Sequence, residues 1–129
     1  MIYTSYFAKL KSISGNNTFY PISIACSVPK GIADSGIPEY RKLCPPYDLL
    51  KAYKDGMCSE DMYIVNYQNN VLSRLNANKV VEELQAMCPE GMEPVLVCWE
   101  KSDKFCHRHI VSKWLCDNGF ICKEIGGII

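Results

Sequence analysis

A chain of 129 residues, 48% hydrophobic and 22% charged, amounts to one domain with enough apolar material for a real core. Its 14 basic and 14 acidic side chains cancel, which argues against extensive binding along duplex nucleic acid. No apolar run approaches the ~18 residues of a membrane span and no basic-then-apolar leader opens the chain, so the expectation is a cytoplasmic protein with no membrane partner.

The first predicted element is a strand over residues 1–7, apolar and aromatic. A second covers residues 20–26, bounded by the turn residues Gly15-Asn16-Asn17 and Pro29-Lys30-Gly31. Residues 30–57 are punctuated by Gly31, Gly36, Pro38, Pro45, Pro46 and Gly56, and read as a binding loop carrying one short helix over residues 47–54, started by Pro46. Ser59 followed by Glu60 and Asp61 starts the next helix, whose inner face is marked by Ile64, Tyr67, Val71 and Leu75. Asn78 is the expected cap of another, with Val80, Val81, Leu84, Met87 and Cys88 inward and Pro89 and Gly91 ending it. Residues 93–99 are a near-continuous apolar run of the kind buried on both faces of a sheet. A helix over residues 106–117 buries Ile110, Val111, Trp114 and Leu115, and Asn118-Gly119 stops it before a last short strand over 120–125. Strand, helix, strand at the end of the chain is a βαβ unit. The expected fold is α/β, a small single-domain Rossmann-like layered fold over residues 1–129, with a mostly parallel sheet of about four or five strands. The glycine-rich dinucleotide fingerprint is absent.

Eight cysteines would suggest disulfides in a secreted miniprotein. Here several lie inside apolar runs, and Cys26, Cys88 and Cys122 are expected to be reduced, buried thiols.

Chemistry concentrates at the junction of the 93–99 strand and the 106–117 helix. Cys98, Trp99 and Glu100 precede a five-residue gap, then Cys106, His107, Arg108 and His109 follow. In open α/β sheets the carboxyl ends of strands and the amino ends of following helices form the ligand crevice. A helix amino terminus favours anions and lowers the pKa of a nearby thiol. Cys106 and His107 continue the buried helix face, while Arg108 and His109 fall to the side, where Arg108 is positioned to grip an anion.

The spacing departs from three familiar chemistries. A phosphatase loop needs arginine where Lys104 stands, and Glu100 and Asp103 would repel phosphate. A zinc deaminase shares Cys98-x-Glu100 but needs a distant Pro-Cys-x-x-Cys that this chain lacks. Cys98, Cys106 and His109 could share a tetrahedral zinc with one more ligand, yet no fourth ligand is in view, so no metal or cofactor is assigned.

Cys98-x-Glu100-x5-Cys106-His107-Arg108, leading into Trp114-Leu115, resembles the domain-of-unknown-function family 488, the small YeaO-like proteins of bacteria and phages. Tyr3-Thr4-Ser5-Tyr6-Phe7, Tyr40-Arg41-Lys42-Leu43 and Pro45-Pro46-Tyr47 are similar to that family too, so the resemblance covers nearly the whole chain. It implies a compact α/β fold and a shared Cys/Glu/Cys-His-Arg site with no settled reaction.

The uneven charge suits a phosphate-bearing small molecule: residues 1–54 hold seven Lys/Arg against three acids, and residues 55–93 two against seven. The leading expectation is a hydrolase or transferase acting on a nucleotide or nucleic-acid-derived substrate. Glu100 would serve as acid/base or carboxylate nucleophile, Cys106 as nucleophile or lining thiol, His107 as proton shuttle or orienter and Arg108 as anion anchor. Arg41, Ser5, Tyr6, Tyr47 and Trp99 complete the expected binding set. The rivals are a protein that sequesters a nucleotide or signalling ligand unchanged, and a thiol-redox or zinc protein.

Overall fold

The computed structural model describes residues 1–15, 17–33 and 36–126. Four strands form one all-parallel sheet in the order β2-β3-β1-β4: β1 (Ile2–Tyr6), β2 (Phe19–Ser23), β3 (Glu93–Cys98) and β4 (Cys122–Glu124). β1 sits between β3 and β4, with Tyr6 opposite Cys98 and Thr4 opposite Glu124. Ser23, at the end of β2, lies opposite Val97. The carboxyl ends of the three longer strands therefore converge on one edge of the sheet.

Between β1 and β2 the chain forms a 3-10 turn at Phe7–Lys9 and a short helix α1 (Leu10–Ser14), neither of which the apolar pattern had marked. Five helical residues are too few for a 3.6-residue period to show. Asn16, in the turn expected before β2, lies outside the described residues. The binding-loop region is more ordered than expected, with α2 (Lys30–Ala33), a 3-10 turn at Arg41–Leu43, and α3 (Tyr47–Lys54) on the residues predicted.

α4 (Glu60–Asn70) starts at Ser59, whose hydroxyl accepts from the Met62 amide at 3.1 Å. It turns Tyr63 and Tyr67 inward, while Ile64 is only half-buried. The helix stops at Asn70, after two poor helix formers, and a 3-10 turn intervenes before Leu75, so Leu75 is not on its face. α5 (Ala77–Met87) is capped by Asn76, not Asn78: Asn76 Oδ1 accepts from the Lys79 amide at 3.1 Å. Asn76 has the extended backbone a cap requires, and Asn78 already lies in the first turn. α6 (His107–Asp117) follows, with Cys106 as its extended capping residue.

The sheet is covered on both faces. On one, Ile22 and Leu96 pack with Tyr67, Val80, Leu84, Val111 and Leu115 from α4, α5 and α6. On the other, Val95 and Val97 pack with Phe7 and with Ile13 of α1. Burial on both sides explains why β3 reads as an unbroken apolar run. All eight cysteines are free thiols. Cys26, Cys88 and Cys122 are half-buried rather than buried, because Cys26 lies beyond the end of β2, Cys88 caps α5 and Cys122 sits on an edge strand. The buried pair is Cys98 and Cys106. Among the described residues no helix is long and apolar enough to cross a membrane.

Candidate functional site

A pocket of about 280 Å³ opens at the carboxyl end of β3. Its wall on one side is Cys98, Trp99, Glu100, Lys104, Phe105, Cys106 and His107, the segment joining β3 to α6. Facing it are Cys26, Pro45, and Leu50, Tyr53 and Lys54 of α3. Glu60 and Tyr63 of α4 complete the lining. Phe105 packs against Tyr53 and Tyr63 with ring centroids 5.0 and 5.1 Å away, giving the pocket an aromatic wall. Lys54, Glu60, Glu100 and Lys104 supply its charged groups.

Cys98, Cys106 and His107 are all buried, and their Sγ, Sγ and ring-nitrogen donors lie within 4.8 Å of one another. His107 Nδ1 is 3.6 Å from Cys98 Sγ and 3.8 Å from Cys106 Sγ. Its Nε2 is 2.7 Å from the Ile24 carbonyl oxygen. A carbonyl only accepts, so Nε2 carries a proton and donates it, which turns the Nδ1 edge of the ring toward both sulfurs. Tyr67 backs the imidazole at 5.7 Å between centroids.

From Ser5 to Gly119 the sequence matches the family described as the active DUF488-N3 subclade. The chain belongs to the DUF488 family. The matched span contains every residue lining the pocket of this DUF488 protein, and ends before Glu124. No curated protein and no solved structure matches the chain.

The two thiols of the DUF488 site share one hydrogen bond and ionise in opposite senses. Cys106 is held below an ordinary thiol by the hydrogen bond from Cys98, against burial, with help from His107 and the Arg108 charge. Cys98 is pushed up by its bond to Cys106 and by burial. The pair therefore gives up its first proton readily and keeps the second. Tyr63, facing the same thiols, has its phenol raised chiefly by burial and then by their negative charge.

Of the expected site residues, Glu100, Cys106, His107 and Trp99 meet in the pocket. Trp99 is 48% exposed, donates from Nε1 to the Ser27 carbonyl at 2.8 Å and stands edge-on to Phe7. Tyr47 is exposed and outside the lining. Arg41 is also outside it, pairing with Glu39 at 3.1 Å and donating to the Cys26 carbonyl at 3.3 Å. Ser5 is buried in the sheet and donates to the Ile125 carbonyl.

Arg108 differs most from expectation. Its side chain is fully buried behind the pocket, with Nε 3.1 Å from Glu124 Oε1 and Nη2 2.7 Å from Oε2. Glu124 also accepts from Thr4 Oγ1 and Ser102 Oγ, both at 2.6 Å. The guanidinium lies 5.7 Å from the centroid of Tyr6, so Tyr6 is a support for Arg108 rather than a pocket residue. Burial lowers the Arg108 pKa, but Glu124 and the nearby thiol charges more than offset this, and it stays charged.

His109 is not the third donor. The offset from Cys106 to His109 assumes that both are helical, whereas Cys106 has extended angles (φ −155°, ψ 144°) and the helix begins at His107. Lys104, Tyr53, Tyr63 and Phe105 join the site with no binding role expected from the sequence, and Cys98 joins it where only a zinc or redox role was in view. Cys98 carried a signal in its spacing from Glu100; the aromatics had none beyond their type.

Proposed function

We propose that this pocket is the active site of a hydrolase or transferase acting on a small, anionic, ring-bearing molecule of the nucleotide class. The observation that carries the reading is the convergence of Cys98, Cys106 and His107, buried and preoriented, in one pocket with the carboxylate of Glu100. Pocket size limits the occupant: about 280 Å³ is at the low end for ligand sites and suits one base-sized ring with its substituents, not a polymer. Phe105 and Tyr53 offer aromatic surface for stacking, and Lys54 and Lys104 take over the anion-binding role expected of Arg108. Glu100 moves the proton between the attacking and leaving groups, and the Cys98–Cys106–His107 centre supplies the electron-rich or electrophilic component.

The test is a panel of nucleosides and nucleoside mono-, di- and triphosphates incubated with wild type and Glu100→Gln, with products followed by mass spectrometry. The expected result is one consumed member of the panel. Its turnover should fall ~10²–10⁴-fold in Glu100→Gln while binding persists, the usual loss for a proton-transfer group. Tight binding of an unchanged ligand by wild type would replace this reading with sequestration. No binding of any member would overturn the ligand class.

A further inference from the structure

We propose that Cys98, Cys106 and His107 form a zinc site with three protein ligands, whose fourth position opens into the pocket. The inference rests on the proposed function only for the task given to that fourth position; the metal site itself stands on the geometry of three side chains.

Donor spacing is the first argument. With Zn–S ≈ 2.3 Å and Zn–N ≈ 2.0–2.1 Å, a tetrahedral centre puts sulfur and nitrogen donors about 3.6 Å apart. His107 Nδ1 is 3.6 Å from one sulfur and 3.8 Å from the other. Those separations need almost no adjustment to admit the ion.

Orientation is the second. A metal-ligating histidine characteristically donates its other ring N–H to a carbonyl or carboxylate, which fixes the tautomer and aims the lone pair. His107 Nε2 does this to the Ile24 carbonyl at 2.7 Å, leaving Nδ1 facing the two sulfurs. The third argument is donor type. Two sulfurs and an imidazole select zinc-like ions over the hard, oxygen-seeking calcium and magnesium.

The supports are rigid. Cys98 ends a central strand, while Cys106 and His107 open an eleven-residue helix. Arg108, the next residue, clamps that helix to β4 through Glu124. Three protein donors with an open position are the pattern of catalytic zinc, whereas structural sites close with four. Glu100 lies two residues after a ligand and lines the same pocket. Zinc held there would supply an activated water, whose proton Glu100 would take as the water oxygen bonds to the electrophilic atom of the substrate. The bond to the leaving group then breaks, and Glu100 returns the proton to that group. No redox change is involved.

The test starts with the 129-residue chain purified without chelator and assayed for metal by mass spectrometry, then with metal-free protein titrated with cobalt(II). The expected result is one zinc per chain, and a cobalt form showing thiolate charge-transfer and tetrahedral d–d bands. Cys98→Ser and Cys106→Ser should each bring binding to background, while Cys116→Ser, an exposed thiol elsewhere, should retain it. Should the ligand variants fail to fold, X-ray absorption on wild type decides: the expected shell is two sulfurs near 2.3 Å with nitrogen near 2.0 Å. An oxygen- and nitrogen-only shell, undiminished binding in Cys98→Ser, or failure of wild type to bind zinc would overturn the inference. Full turnover by metal-free protein would overturn the catalytic task given to the fourth position and leave the proposed function intact. Stoichiometric zinc with no turnover of any nucleotide would sustain it and remove the proposed function.

Discussion

Replacing Arg108 by lysine separates a structural clamp from an anion anchor. The guanidinium holds both oxygens of Glu124, at 3.1 and 2.7 Å, from a fully buried position, and lies over Tyr6. Lysine keeps the charge but cannot reproduce a planar fork. One charge-assisted bond is lost, about 1.5–3 kcal/mol, along with ~0.5–1 kcal/mol of cation–π contact. Against this, Arg108 Nη1 is a buried donor without a partner, and its removal recovers about 1 kcal/mol. The net is a destabilisation of ~2 kcal/mol, or roughly 6–10 °C in Tm for a chain of this size. Glu124→Gln should cost more, ~3–5 kcal/mol, because it leaves a buried guanidinium without its counter-charge. Circular dichroism melts and urea titrations of the two variants provide the assay. A Tm shift below about 2 °C in Arg108→Lys, together with weakened binding of an anionic ligand, would refute the clamp and restore the anchor.

The same carboxylate sets an acid limit. Partial burial raises the Glu124 pKa, but hydrogen bonds from Arg108, Ser102 and Thr4 outweigh it and hold the group below 4.5. A depressed folded-state pKa means the stabilisation is complete above the unfolded value and is lost as pH falls through the folded one. The stability gap between wild type and Glu124→Gln, measured by urea titration, should therefore narrow below pH 4.5. Gly126→Ala should cost ~1–3 kcal/mol in the same titration, since an added Cβ would collide with the Ser102 hydroxyl that supports Glu124, and Ser102→Ala should relieve part of that loss. Asn76→Ala should cost about 1 kcal/mol as the lost cap of α5, whereas Asn78→Ala should stay within ~0.5 kcal/mol.

Elements long enough to display a period were legible in the sequence. β3 and α6 fall within a residue of expectation because their apolar residues are buried along the whole element, and α3 does so because Pro46 marks its start. α1 was not, since five residues cannot show a stripe, and the Asn76 cap was displaced because two asparagines two residues apart satisfy the same pattern. At the site, local spacing brought out Glu100, Cys106 and His107. The expected binding region 30–57 does supply Pro45, Leu50, Tyr53 and Lys54, whereas spacing could not bring out Tyr63, which depends on how α4 folds back over the end of β3. Arg108 was misplaced for a related reason. Helical projection describes a side chain relative to its own helix, and its partner Glu124 lies on another element, across β1 from β3.

The arrangement explains why two adjacent residues of α6 take such different roles. Successive side chains on a helix point about 100° apart. His107 is thereby directed at the sulfurs beneath the pocket, and Arg108 at the β1–β4 side of the sheet. The clamp and the donor cluster then share one rigid support, so the height and rotation of the helix start determine both. Reactive geometry tolerates little error, with ~1 Å of displacement able to cost ~10²-fold in rate. A buried bidentate ion pair one residue from His107 restrains that displacement without occupying the pocket. Arg108 accordingly bears on the donor cluster through position rather than contact: its ion pair with Glu124 on an edge strand ties the start of α6 to the sheet.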